Sequence, residues 1–195
     1  MTLSVTALVV AGGGSTRFGA DKLDQPLGGT TVLGQLLASL PPDWPVVVVG
    51  PAREVGRPVT WALEDQPDGG PLAAIDAGLA LVSTDLVVVL GGDMPFAGPA
   101  ARRLADSLTQ ALSDPDDDFG VVAATARGGR RRGHPLLTAY VTASAREAMP
   151  ETPYAGRAGA LLEALPHLVL KVAADDLLDV DTPAQLEDAR RRLGA

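Results

Sequence analysis

Residues 10–22 read Val10-Ala11-Gly12-Gly13-Gly14-Ser15-Thr16-Arg17-Phe18-Gly19-Ala20-Asp21-Lys22, a glycine run followed by two cations. Glycine lacks a Cβ and adopts positive φ freely, so such a run can turn several backbone N–H groups toward one anion. Arg17 and Lys22, three and eight residues beyond Gly14, can add side-chain charge to the same ligand. The segment therefore predicts a polyphosphate cradle. It is not a P-loop, because Gly14 and Gly19 have the right spacing but Ala20 stands where lysine is required. Nor is it a dinucleotide fingerprint, which would need glycine where Arg17 stands.

Three acidic positions could complete a site around that cradle. Asp93 follows Gly91 and Gly92, just past the apolar run Leu86–Leu90. Ligands of open α/β sheets collect at the carboxyl ends of the strands, and Mg2+ takes one or two protein carboxylates with substrate phosphates and water. Asp93 is accordingly an expected metal ligand. Asp181, in Asp179-Val180-Asp181-Thr182-Pro183, is the preferred second one, although the same residue could instead cap the helix that Pro183 opens. Asp65, in Leu63-Glu64-Asp65-Gln66-Pro67-Asp68-Gly69-Gly70-Pro71-Leu72, could accept hydrogen bonds from the N1–H and exocyclic amine of guanine, a donor pair that cytosine lacks. It could equally serve only to solvate a loop, with Gly70-Pro71 starting a helix.

The elements that must position these residues alternate short β-branched runs with longer Leu/Ala-rich stretches, the pattern of βαβ units feeding a mainly parallel sheet. Strands are expected at Val5–Val10, Val46–Val49, Val59–Leu63, Leu86–Leu90, Val121–Thr125, Leu136–Val141 and Leu168–Val172. Helices are expected at Thr31–Leu40, from Gly69 to Leu81, and at Ala100–Leu112, Thr142–Met149, Ala158–Leu165 and Pro183–Leu193. Gly128, Gly129 and Gly133 bracket Arg130-Arg131-Arg132 in a hairpin or loop ahead of His134. The fold class is α/β: a single domain over residues 1–195 with a mainly parallel sheet flanked by helices.

Composition excludes several functions. Acidic residues outnumber basic ones 24 to 16 for a net charge of −8, which disfavours a broad grip on nucleic acid. The chain has no cysteine, so disulfides and thiolate metal sites are out. Leu3–Ala11 lacks a basic leader and a cleavage site, and no apolar run reaches the ~18 residues of a membrane span, so a cytoplasmic protein with no membrane partner is expected. His134 and His167 accompany no serine elbow, which leaves little room for nucleophilic hydrolysis.

Taken together, the motifs resemble the nucleotidyltransferases of the glycosyltransferase-A-like (nucleotide-diphospho-sugar transferase) fold, whose first strand runs into L-A-G-G-x-x-x-R-M-G-x-x-K. Val10 stands for the leucine, Phe18 for the methionine, and Gly19-Ala20-Asp21-Lys22 matches the G-x-D-K form of the molybdenum cofactor guanylyltransferases. Gly91-Gly92-Asp93-Met94-Pro95, Gly70-Pro71-Leu72-Ala73 and Asp179–Pro183 are similar to further elements of that family, so the likeness spans essentially the whole chain. The resemblance implies GTP on Val10, Ala11, Gly12, Gly13, Gly14, Asp65, Gly70, Pro71 and Leu72, with Arg17 and Lys22 on its phosphates and Mg2+ at Asp93. It further implies molybdopterin or molybdenum cofactor as acceptor, with Arg130–Arg132 and His134 toward that side, and cofactor-synthesis or acceptor proteins as partners. A cytidylyl- or guanylyltransferase for another phosphorylated acceptor, or a non-catalytic nucleotide-binding protein, is the alternative.

Overall fold

The computed structural model describes residues 3–12, 21–66, 68–114, 123–127 and 133–194. The chain begins with β1 (Val5–Val10), then a 3-10 turn at Lys22–Asp24 and a small hairpin of β2 (Pro26–Leu27) and β3 (Thr30–Thr31). Next come α1 (Val32–Ser39), β4 (Val46–Val49), β5 (Thr60–Ala62), α2 (Gly70–Leu79) and β6 (Leu86–Gly91). The second half runs α3 (Gly98–Leu112), β7 (Ala123–Arg127), β8 (Leu137–Val141), α4 (Thr142–Glu147) and α5 (Gly159–Glu163). It ends with β9 (His167–Lys171), a 3-10 turn at Ala174–Leu177 and α6 (Pro183–Leu193).

Seven strands form one sheet in the order β5-β4-β1-β6-β8-β7-β9. Its pairings are parallel except where β8 runs against β6 and β7. The central strands are apolar on both faces. Leu86, Val88 and Leu90 of β6 join α1, α3 and α6 on one side, while Val87 and Val89 join α2, α4 and α5 on the other. A sheet covered twice needs unbroken apolar strands, which is why β1, β4 and β6 read as continuous runs and not as alternations. None of the helices among the described residues is long and apolar enough to cross a membrane.

Local chemistry sets the element ends. Thr31 caps α1, its Oγ1 accepting from the Gly34 N–H at 3.0 Å. Gly28 and Gly29, at φ +60° and +80°, make the two-residue turn between β2 and β3, a hairpin the strand expectations omit. Helix α3 starts at Gly98, ahead of the expected Ala100, and a Cβ at Gly98 would lie 2.1 Å from the Ser39 carbonyl oxygen. Glycine alone lets the first turn of α3 abut the end of α1. The edge strand β5 is shorter than expected, and Leu63 beyond it is exposed. The part of the expected Val121–Thr125 strand before Ala123, and the loop carrying Arg130–Arg132, lie outside the described residues.

Candidate active site

The parallel strands bring their carboxyl ends to one edge. Val10 of β1 lies beside Val49 of β4 and Gly91 of β6, so the residues after each strand gather there. The start of β8 reaches the same edge because that strand is reversed: Leu90 pairs with Leu137. Close approach at this edge depends on glycine. A Cβ on Gly92 would lie 3.2 Å from the Val10 carbonyl oxygen and 3.4 Å from the Ala11 Cα.

Lys22 stands in the short turn after the cradle. Asp21 starts that turn by accepting from the Leu23 N–H at 3.0 Å, and Leu23 is buried in the core. Arg53, from the loop between β4 and β5, clamps the turn from outside, at 2.5 Å from Asp21 and 3.1 Å from Asp24. Its guanidinium is anchored in turn on the Pro51 carbonyl at 2.9 Å. A planar fork with several donors suits this bridging task. No sequence motif marked Arg53, because its partners lie some thirty positions away, as in the Arg53 to Asp21 separation of 32.

The Lys22 ammonium donates to Asp93 Oδ2 and to Asp181 Oδ1, each at 2.6 Å. Three expected residues thus converge from three distant parts of the chain. A backbone bond fastens the last of them: the Val180 N–H donates to the Asp93 carbonyl at 2.9 Å. Thr182 caps α6 through the Gln185 N–H, and Gln185 also accepts from the Asp181 N–H and donates to Asp179 Oδ1. With Thr182 as the cap, the Asp181 carboxylate faces Lys22 instead. Burial opposes the Lys22 charge, but the Asp93 charge and hydrogen bonds to Asp181 and Asp93 outweigh it, so its pKa rises. The Asp179 carboxyl is raised as well, by burial first and then by the charges of Asp181 and Asp93.

A cleft of about 300 Å³ opens at this point, lined by Val10, Gly12, Lys22, Glu64, Gly70, Pro71 and Asp93 among others. Two carboxylates of the segment after β5, Glu64 and Asp68, line it, and Glu64 is the less exposed of the two, whereas Asp65 is exposed and does not line the cleft. Glu64 Oε2 accepts from the Gly69 N–H at 2.9 Å, and Oε1 lies 3.3 Å from the position a Cβ on Gly12 would take. Gly70, at φ +83°, starts α2, with Pro71 in its first turn. Ala11 and Leu72, both expected against the nucleotide, are 2% exposed and join the core. Gly13, Gly14 and Arg17 lie outside the described residues.

Pro71 and Leu136 also line a second, larger cleft of about 850 Å³, which extends past His134, Arg157 and His167. Thr125 Oγ1 and Thr138 Oγ1 donate to the His134 carbonyl, fixing that residue, while its buried Nδ1 has no hydrogen-bond partner among the described residues. Burial lowers the His134 pKa, and the nearby charges of Asp179 and Asp93 offset this only in part.

The donor set fits a hard cation. Asp93 and Asp181 each offer an oxygen to one positive centre, and the Lys22 ammonium occupies that point as a cationic stand-in. Two carboxylates are what Mg2+ asks of a protein when phosphates and water supply the rest. Among the described residues no group of three or more acidic or histidine ligands exists that would make a self-sufficient metal cage.

A mainly parallel sheet flanked by helices, with a glycine-lined cleft at the strands' carboxyl ends where Lys22, Asp93 and Asp181 meet, is the arrangement of ligand-binding α/β proteins. Comparison with known proteins narrows that class. The model of the MobA-like NTP transferase domain matches residues 7–176, and the chain belongs to this family of nucleotidyltransferases. A probable molybdenum cofactor guanylyltransferase of Natronomonas pharaonis is 30% identical over 96% of this chain and 98% of its own. The crystal structure of molybdopterin-guanine dinucleotide biosynthesis protein A from Archaeoglobus fulgidus superposes with a TM-score of 0.74 at 21% identity, covering 97% of this chain and 98% of that one. A Mycobacterium tuberculosis protein solved in complex with manganese has the same fold, with a TM-score of 0.68 at 19% identity over 96% of this chain and 98% of its own.

Proposed function

We propose that this chain, working as one nucleotidyltransferase domain over residues 1–195, transfers GMP from GTP to the terminal phosphate of molybdopterin or its molybdenum form, with release of pyrophosphate. The convergence of Lys22, Asp93 and Asp181 in a cleft that Glu64 also enters is the observation that carries this reading. The similarity to a molybdenum cofactor guanylyltransferase along nearly the whole chain supports the choice of donor and acceptor.

In this reading the guanine lies toward Glu64, whose carboxylate accepts from the N1–H and exocyclic amine, with Asp65 as the outer alternative. Gly12 leaves room for the nucleotide, and the phosphates are assigned to the glycine run Gly12, Gly13 and Gly14 with Arg17 and Lys22 adding charge. Asp93 and Asp181 would hold Mg2+, which when bound would supply charge neutralisation for the triphosphate. An oxygen of the acceptor phosphate attacks the α-phosphorus in line, the bond from that phosphorus to the bridging oxygen breaks, and pyrophosphate leaves with the electron pair. A phosphate is already ionised at neutral pH, so the chain's residues position and stabilise and no protein group needs to remove a proton. The larger cleft beyond Pro71 and Leu136 gives the acceptor's ring system its space.

The test is incubation with Mg2+, molybdopterin and either GTP or CTP, with product identified by mass. The guanine dinucleotide is the expected product. Consumption of CTP alone would sink the base assignment, and turnover with a different phosphorylated acceptor only would sink the acceptor.

A further inference from the structure

Among the contacts of the Lys22 ammonium are two at 2.6 Å, to Asp93 and to Asp181. These are the carboxylates assigned above to the metal, and Lys22 is the cation assigned above to the phosphates. It cannot serve both ends at once. A divalent ion between the same two oxygens would compete with the ammonium for their lone pairs and repel it across a short distance. Two carboxylates side by side in a half-buried cleft repel each other unless a cation lies between them or one of them takes up a proton.

We infer that Lys22 is the resident cation of the Asp93–Asp181 pair, and that it yields this position to a divalent metal only when a triphosphate offers it another anion. Metal and nucleotide then enter as a unit. The inference rests on the proposed metal assignment and is independent of which base or acceptor the protein uses.

The surroundings of Lys22 suit such an exchange. Its backbone is fixed, since Leu23 is buried and Arg53 grips Asp21 and Asp24 on either side of the turn. The side chain is a four-carbon stem with a compact, rotatable donor head, so the head can swing while the turn stays still. Glu64 and the Gly12 floor lie across the same cleft, which keeps the alternative anion within the space that Lys22 already borders. Without a nucleotide, the metal would have to strip the ammonium of two charge-assisted bonds, and the carboxylates of Glu64 and Asp68 that line the same cleft carry a single charge each where a triphosphate carries several. The metal's apparent affinity is then reduced by the small fraction of molecules in which Lys22 has turned away.

Two measurements test this, neither of which needs turnover. The first is Mn2+ binding, by electron paramagnetic resonance and without nucleotide, to the wild-type chain, to Lys22→Met and to Lys22→Met combined with Asp93→Asn. Lys22→Met should bind at least about tenfold more tightly than wild type, and the double variant should lose the gain. Equal affinity of wild type and Lys22→Met would overturn the exchange while leaving the metal assignment standing. Absence of Mn2+ binding in every variant would overturn both.

The second uses wild-type protein labelled with 15N-lysine. The chain has two lysines, Lys22 and Lys171, and Lys171 is exposed on the edge strand β9, so a Lys171→Arg control assigns the signals. The Lys22 signal should hold its position with Mg2+ alone and shift when Mg2+ and inorganic tripolyphosphate are added together. A shift with Mg2+ alone would overturn the inference. Tripolyphosphate carries no base, so an error in the guanine reading would leave this result untouched.

Discussion

Replacing Glu64 by Gln should cost the protein its preference for guanine while leaving the catalytic groups in place. The side chain is held by the 2.9 Å bond from the Gly69 N–H to Oε2, and its other oxygen faces the cleft above Gly12. Glutamine keeps the length and can keep the Gly69 bond through its amide oxygen. It then presents an NH2 donor to a base edge that is itself made of donors. A hydrogen bond to a charged group contributes about 1.5–3 kcal/mol, so kcat/KM for GTP should fall roughly tenfold to a hundredfold. The value for CTP, which offers no donor pair to Glu64, should change by less than about threefold. The exposed Asp65 is the control, and Asp65→Asn should leave both nucleotides within about twofold. The assay is pyrophosphate release at saturating acceptor, with nucleotide varied. Equal losses for GTP and CTP in Glu64→Gln would mean that the residue supports the loop and does not read the base. A guanine-specific loss in Asp65→Asn with none in Glu64→Gln would refute the reasoning outright.

Two other sites make separable predictions. Arg53→Met removes the clamp on the turn that carries Lys22, and steady-state kinetics should show kcat lowered by roughly tenfold, with little recovery in Arg53→Lys because an ammonium cannot span Asp21, Asp24 and the Pro51 carbonyl together. An Arg53→Met enzyme with unchanged kcat would show that the turn holds its shape on Leu23 alone. His134 is kept neutral by burial, so its folded pKa lies below its unfolded value of 6.5. As pH falls through 6.5, the unfolded chain takes up a proton that the folded chain refuses, and stability is lost toward the folded pKa. Thermal melts from about pH 7.5 to about pH 5 should therefore show the wild type losing stability relative to His134→Gln, and a difference that stays constant across the range would remove His134 from the account.

The parts of this architecture legible in the sequence are those set by short-range rules. Strands β1, β4 and β6 stand out because a doubly covered sheet demands unbroken apolar runs, and Pro71 and Pro183 mark the first turns of α2 and α6 because proline fits there without losing a hydrogen bond. Lys22 is legible as a cation after a glycine run, Asp93 as a carboxylate at a strand end and Asp181 as a carboxylate just ahead of a helix. Their mutual contact is not, since it is made between residues 71 and 159 positions apart and is accompanied by a long-range bond from Val180 to the Asp93 carbonyl. The choice between Glu64 and Asp65 was beyond a sequence reading for a different reason. Adjacent residues leaving a strand face opposite ways, and the direction is set by the register of β5, a strand of three residues at the sheet edge. Asp181 as a helix cap was a fair alternative until Thr182 was seen to take that role. The hairpin of β2 and β3 did have a signal, the Gly28-Gly29 pair, but its strands are too short to show alternation.

The bond between Val180 and the Asp93 carbonyl has a temporal consequence. A ribosome delivers Lys22 and Asp93 long before it delivers Asp181, so a growing chain can lay down the central sheet while the lysine still has only one of these two carboxylates beside it. The site is finished only when the segment ahead of α6 docks, after the strands of the sheet have been made. Competence thus follows the sheet in the making of each molecule, since every described strand precedes Asp181 in the chain.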